Sequence, residues 1–354
     1  MSVLAEEIGS EKDPYMNKDD KKKYWPLIDV AKLVCALLVV LIHCVEVKQG
    51  HPVATFIVQC FAGQAVPFFL IVSGFFCARK IMHNNMVKII KISIQNWLIL
   101  YLAWSVLWLP YYICFYRKQY PGSTMLYQVI MIIRRYIFAG QGVYWYLLVL
   151  FESVIIVAFF VKHNMDKALY IISICGVAIG ILYDANVNVL GMRVIHRVIY
   201  FIFSWSNNLF MKGIPYVTIG YLFYKNKEKY SLKKIDKIII GYAVSSIAMI
   251  IIYVLGKKEW LCVYPLQAVF LFMGTISIGN DSSFNESKTR ICRNLSSSIY
   301  YLHTIFIYGV IDVICGTDSM ILLKFGIAVI LSIIVYVIFE ITGNKTLKWL
   351  IGVK

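Results

Sequence analysis

Of 354 residues, 60% are hydrophobic and 15% charged, and 35 Lys and Arg against 19 Asp and Glu give a formal net charge of +16. Average globular domains carry about 25% charged residues, so this apolar composition excludes a disordered chain, and nine cysteines in such a length exclude a small disulfide scaffold. Apolar runs of spanning length recur from residue 27 to residue 342, which argues against a single soluble core and leaves room for about ten transmembrane helices.

Residues 1–26 are polar and charged, including Lys21, Lys22 and Lys23. They lack a short apolar stretch ahead of a small-residue cleavage site, so they read as a cytoplasmic tail rather than a signal peptide. Ten predicted spans follow, at 28–47, 54–77, 89–109, 144–161, 168–184, 208–224, 237–255, 260–278, 296–315 and 320–342. Pro67 predicts a kink in the second. Two shorter apolar segments, 125–139 and 194–206, carry Arg134, Arg135 and Arg197 and read as interfacial or re-entrant helices. With the N-terminus inside, the inner segments hold 23 of the 35 Lys and Arg, which predicts an N-in, C-in topology. The expected fold is all-α and polytopic: a tail 1–26, one membrane domain 27–345 and a second tail 346–354. The basic residues are scattered between spans, so the bilayer, not nucleic acid, is the expected partner; a homo-oligomer stays open. No cysteine pair has metal or redox spacing, and no metal is expected.

An ionisable side chain inside a span tends to face a cavity or a partner. The first span holds Asp29, Lys32, His43 and Glu46. Lys32 and His43 are eleven residues apart, three helical turns plus about 20°, so they share one face about 16 Å apart along the axis. Asp29 precedes Lys32 by three residues and shares its face; both could equally snorkel to the inner interface. His43 lies deep in an apolar run, where it is either a hydrogen-bonded core residue or a general base. In the second span, Ser73 and Gly74 form a small-residue spot for close approach of a helix or a ligand. Arg79, Lys88 and Lys91 form an inner basic cluster suited to a phosphate-bearing cofactor or to anionic headgroups. Trp145 and Tyr146 open the fourth span as an aromatic belt. Glu152 lies near mid-span in need of a partner. His303 is a second intramembrane histidine, and Arg193, His196 and Arg197 gather near the outer face.

Five segments carry a family resemblance. Ile28-Asp29-Val30-Ala31-Lys32 followed by His43, then PFFLIVSGFF, YWYLLVLF, GIPYVTIGYLFYKNK and SSSIYYLHT, together resemble the acyltransferase-3 family of bacterial integral membrane acyltransferases. The resemblance runs in order over about residues 24–345, and the layout is also similar to the membrane half of the vancomycin-resistance serine racemases of that family. Three positions depart from the family pattern. Lys32 stands where Arg is commoner, which removes the bidentate fork. Val143 replaces a histidine ahead of Trp145, and Leu150 replaces a glutamate after it.

The resemblance implies transfer of an acyl group, usually acetyl, from cytoplasmic acyl-CoA to a hydroxyl of a cell-surface glycan or lipid-linked sugar at the plasma membrane. On that reading His43 is the base or acyl carrier and Lys32 stabilises negative charge on the donor or the oxyanion. Arg79, Lys88 and Lys91 hold CoA phosphates, while Ser73, Trp145, Tyr146 and His303 contact substrate. The rival reading is a polysaccharide or small-solute transporter or flippase using the same polar path.

Overall fold

The computed structural model of the protein describes residues 25–45, 51–138, 140, 142–184, 194, 197–198, 207–226, 235–256, 263–278, 286–315 and 321–353. Glu46, Arg193, His196, the tail 1–24 and most of the segment 194–206 lie outside the described residues. Among the described residues the chain is all-helical. Eight helices are long and apolar enough to cross a membrane, which makes this a polytopic membrane protein. The helices are α1 (Pro26–Val45), α2 (Pro52–Phe61), α3 (Ala65–His83), α4 (Met86–Ser93), α5 (Ile99–Gln119), α6 (Met125–Phe138), α7 (Trp145–Lys162) and α8 (Asp166–Asp184). They continue with α9 (Ile214–Lys225), α10 (Ile235–Val254), α11 (Val263–Ile278), α12 (Glu286–Thr304), α13 (Asp312–Cys315), α14 (Ile321–Thr342) and α15 (Lys345–Leu350). π-helical turns at Ile94–Leu98, Leu209–Gly213 and Ile305–Ile311 lead into α5, α9 and α13.

The chain divides into two compact units, one of residues 1–72 and 225–354, the other of residues 73–224. In the first, α1 buries Ile28, Asp29, Lys32, Cys35, Ala36, Val39, Val40 and Cys44, the recurring three- and four-residue spacing of one helix face. That face packs on α12, with α11 and α14 also against α1. Ser296 on α12 donates to the Lys32 carbonyl at 3.0 Å, while His43 meets His303 further along, with ring centroids 5.3 Å apart. Residue numbers rise together along the two helices, so they run parallel. Ser298 donates to the Ser332 carbonyl and Asp312 pairs with Lys324, so α14 runs antiparallel to α12.

The second predicted span breaks at Ala62–Gln64, a 3₁₀ turn between α2 and α3, and not at Pro67. Pro67 occupies the third position of α3, in the first turn, where its missing N–H leaves no hydrogen bond unmade. The carbonyls loosened by the break find side chains: Tyr264 Oη donates to Gln59 O, and Gln267 Nε2 to Cys60 O at 3.1 Å. Such substitutes are what let a helix break within a membrane.

Two further boundaries differ from the sequence reading. The third span reaches Gln119 because the aromatic residues after Pro110 stay helical. The ninth predicted span starts at Glu286, not 296, because its first turns are amphipathic rather than apolar. Residues 345–350, at the predicted second tail, form α15, and Ile351 and Val353 beyond it are buried.

In the second unit, α7 is the central helix, with α4, α5 and α8 against it. At Gly74 on α3, a Cβ would collide with the Val217 carbonyl and sit 2.8 Å from Val217 Cα on α9. The small-residue spot is therefore a helix crossing.

Candidate active site

The polar residues of α1 lie in two places along the α1–α12 contact. At the beginning of both helices, Asp29 Oδ1 stands 3.7 Å from Lys32 Nζ, and both are 4% exposed. Arg293 of α12 is also buried, and its charge acts on Lys32. About 16 Å further along α1, His43 Nδ1 lies 3.0 Å from Tyr308 Oη. The His43 ring is tilted 39° against that of His303.

His303 has no solvent exposure. Its Nδ1 stands 3.0 Å from the Ile299 carbonyl, one turn back on α12. A carbonyl only accepts, so Nδ1 carries the proton and Nε2 of the neutral ring keeps its lone pair. That Nε2 is buried and has no hydrogen-bond partner among the described residues. A buried acceptor without a partner is expensive and marks a place where a donor belongs.

Tyr308 reaches His43 because of the π turn. In an α-helix, five residues advance about 500°, which would leave Tyr308 about 140° around from His303. The i→i+5 bonding of Ile305–Ile311 sets residues five apart nearly in line, and Tyr308 returns to the histidine side. Beyond it, Asp312 and Lys324 form an ion pair with side chains 11% and 1% exposed. The result is two imidazoles and a phenol at one end of the helix pair, with two cations and a carboxylate at the other.

The remaining candidates fall in the second unit. Ser73 Oγ and Tyr146 Oη are hydrogen-bonded at 2.9 Å, and Tyr146 is 2% exposed and Trp145 7%. Their rings are interior: Gly140, at φ +68°, packs its backbone against Trp145. Among the rings that reach the surface of this unit are Trp108, Tyr111 and Tyr112 on α5, edge-to-face or tilted against one another. Arg79 is half-buried near the end of α3 and Lys88 and Lys91 are exposed on α4, which Asn85 caps by accepting from Lys88 N. Glu152 is half-buried.

The sequence reading missed Arg293 and Tyr308. Arg293 sits among Lys288, Arg290 and Asn294 and looked like a loop residue; only the 3.6-residue spacing to Ser297 and Tyr300 signals its buried face. Nothing in the sequence announces the π turn.

Neither a curated protein nor a solved structure matches this chain. The family description "Acyltransferase domain" does match, over residues 25–341. That stretch holds both ends of the α1–α12 arrangement, and with it the chain belongs to the acyltransferase-3 family of membrane acyltransferases.

Proposed function

We propose that the protein moves an acyl group, acetyl in the first instance, from cytoplasmic acyl-CoA to a hydroxyl of a cell-surface glycan or lipid-linked sugar at the plasma membrane. The observation that carries this reading is the meeting of His43, His303 and Tyr308, with a buried lone pair on His303 Nε2. In the tautomer whose Nδ1–H donates to Tyr308 Oη, His43 Nε2 carries the lone pair that takes a proton. It removes the proton of the acceptor hydroxyl as that oxygen attacks the thioester carbonyl. The C–O bond forms, the C–S bond breaks, and the proton passes to the departing CoA sulfur. His303 Nε2 accepts a hydrogen bond from the incoming substrate and holds it against His43.

Lys32, about 16 Å from His43 along the helix, is placed for the body of the donor rather than for the reacting carbonyl. Arg79, Lys88 and Lys91 offer a second cationic place for donor phosphates. Ser73, Trp145 and Tyr146, buried in the second unit, remain the residues to which the resemblance gives substrate contacts.

The test is acetyl transfer by purified protein in nanodiscs with radiolabelled acetyl-CoA. Wild type should label an acceptor extract or release free CoA, and His43→Ala should lose at least about a hundredfold. Undiminished turnover in His43→Ala at equal protein level would remove His43 from the chemistry.

A further inference from the structure

A second polar place in the first unit has no part in the chemistry above. The first turns of α12, the end of α14 and α15 enclose a cavity of about 620 Å³. Glu286, Arg290 and Asn294 line it from α12, each four residues from the last and so on one helix face. Tyr336 and Glu340, with the same spacing, line it from α14, and Lys348 closes it from α15 by pairing with Glu340. Local structure brings Lys348 there: Asn344 caps α15 by accepting from Thr346 N at 2.9 Å and Leu347 N at 3.2 Å.

Asn294 is the residue that asks for a ligand. It is 8% exposed and faces the cavity, and its carboxamide makes no hydrogen bond among the described residues. A buried amide without partners is costly, so a polar molecule belongs against it. The Glu286 carboxylate also makes no hydrogen bond or ion pair among the described residues. The Lys348 ammonium donates to Glu340, and an ammonium carries further donors. The walls therefore present both signs of charge. A plain anion would meet Glu286 and Glu340, and a plain cation would meet Lys348 and Arg290. A zwitterion suits both.

Depth and the neighbouring surface narrow the zwitterion. The 22 residues of α14 make about 33 Å of helix, against a hydrocarbon core of about 30 Å. Glu340, in the last turn, thus lies at headgroup level. Beside the row Tyr336–Glu340, Val337 and Ile341 are exposed, as are Ile334 and Ile338. An apolar strip next to a polar cavity at that depth fits an amphiphile, its chains on the strip and its head in the cavity.

We propose that this cavity binds the headgroup of a zwitterionic phospholipid with a primary ammonium, phosphatidylethanolamine. The ammonium sits against Glu286 and Glu340, the phosphate against Lys348 and Arg290, and the glycerol ester oxygens accept from the Asn294 amide. A primary ammonium donates to carboxylates, which the trimethylammonium of phosphatidylcholine cannot do. The site stands independently of the acyl-transfer reading.

The test is native mass spectrometry of the purified protein in detergent with added phosphatidylethanolamine, phosphatidylcholine or phosphatidylglycerol. Wild type should hold phosphatidylethanolamine about tenfold more tightly than phosphatidylcholine, the equivalent of one charge-assisted hydrogen bond. Glu286→Gln should cut that preference to about twofold, and Asn294→Ala should weaken both lipids together. The preference compares two lipids on one variant, so a general loss of stability does not move it. Should Asn294→Ala not fold, Glu286→Gln, on the exposed first turn, carries the test. Equal retention of the two lipids by wild type, or an undiminished preference in Glu286→Gln, overturns the assignment. Tighter retention of phosphatidylglycerol overturns it in favour of an anionic lipid. Displacement of the lipid by water-soluble phosphoethanolamine at equal concentration gives the cavity to a free zwitterion, and displacement by coenzyme A gives it to the acyl donor; either result overturns the lipid site.

Discussion

At the scale of single residues, the His43–Tyr308 bond separates catalysis from packing. Tyr308→Phe keeps the ring and removes the oxygen 3.0 Å from His43 Nδ1. The imidazole then loses the partner that fixes its tautomer, while the donor's contacts elsewhere are untouched. The turnover number should fall about 10- to 100-fold, the equivalent of one buried hydrogen bond at about 1–3 kcal/mol. KM for acetyl-CoA should stay within about twofold, because 1.4 kcal/mol is needed for a tenfold change in binding. Steady-state kinetics on the two proteins decide it; a change confined to KM would make Tyr308 a binding residue. Lys32 and His43 were legible in the sequence because each interrupts an apolar run, where an ionisable group has to be explained. Arg293 and Tyr308 were not, for opposite reasons. Arg293 is one basic residue among several in a polar stretch, and its burial follows from the tertiary contact of α12 with α1. Tyr308 is one aromatic among many, and its direction is set by a backbone irregularity.

At the scale of elements, the helices touch through a few positions where a side chain cannot be exchanged. Gly74 is one, since the atoms a Cβ would meet belong to the backbone of Val217, which cannot swing aside. Gly74→Ala should destabilise the second unit by about 1–3 kcal/mol, the range for overpacking a close contact. Ser73→Ala, which loses only the bond to Tyr146, should cost about 1 kcal/mol. Thermal unfolding in detergent checks the order; the reverse order would mean that α9 can move away from α3. The joint between α13 and α14 carries a different device, the buried Asp312–Lys324 pair. Lys324→Met alone strands a carboxylate and should cost about 3–5 kcal/mol, whereas Lys324→Met with Asp312→Leu should recover most of it. If the double variant is no more stable than the single, the pair is not the source of the loss. Eight of the ten predicted spans appear as helices long and apolar enough to cross a membrane, while 208–224 and 260–278 correspond to the shorter helices α9 and α11. Span ends were less legible wherever a helix continues on an amphipathic face, as from Glu286 in α12, or breaks without proline, as at Ala62–Gln64.

At the scale of the whole molecule, sidedness ties the fold to the chemistry. Within the first unit α1 is parallel to α12 and α12 antiparallel to α14. The start of α1 and the end of α14 therefore lie at the same end, which is also the end holding Lys32 and Arg293. The chain's flanks should thus share one side of the membrane, and the distribution of Lys and Arg assigns that side to the cytoplasm. The proposed function calls for the same assignment, since a cytoplasmic acyl-CoA would enter at the end of α1 where Lys32 lies. A green fluorescent protein fused after Lys354 should fluoresce and a periplasmic phosphatase fused there should stay inactive. A phosphatase inserted at Gly122, whose turn has open space around it and φ +84°, should be active, because the charge-based N-in topology puts the loop after the third predicted span outside. An active C-terminal phosphatase would put the Lys32–Arg293 end outside. The proposed entry of a cytoplasmic donor at the Lys32 end and the charge-based topology would then fail together, while the pairing of His43 with Tyr308 would stand.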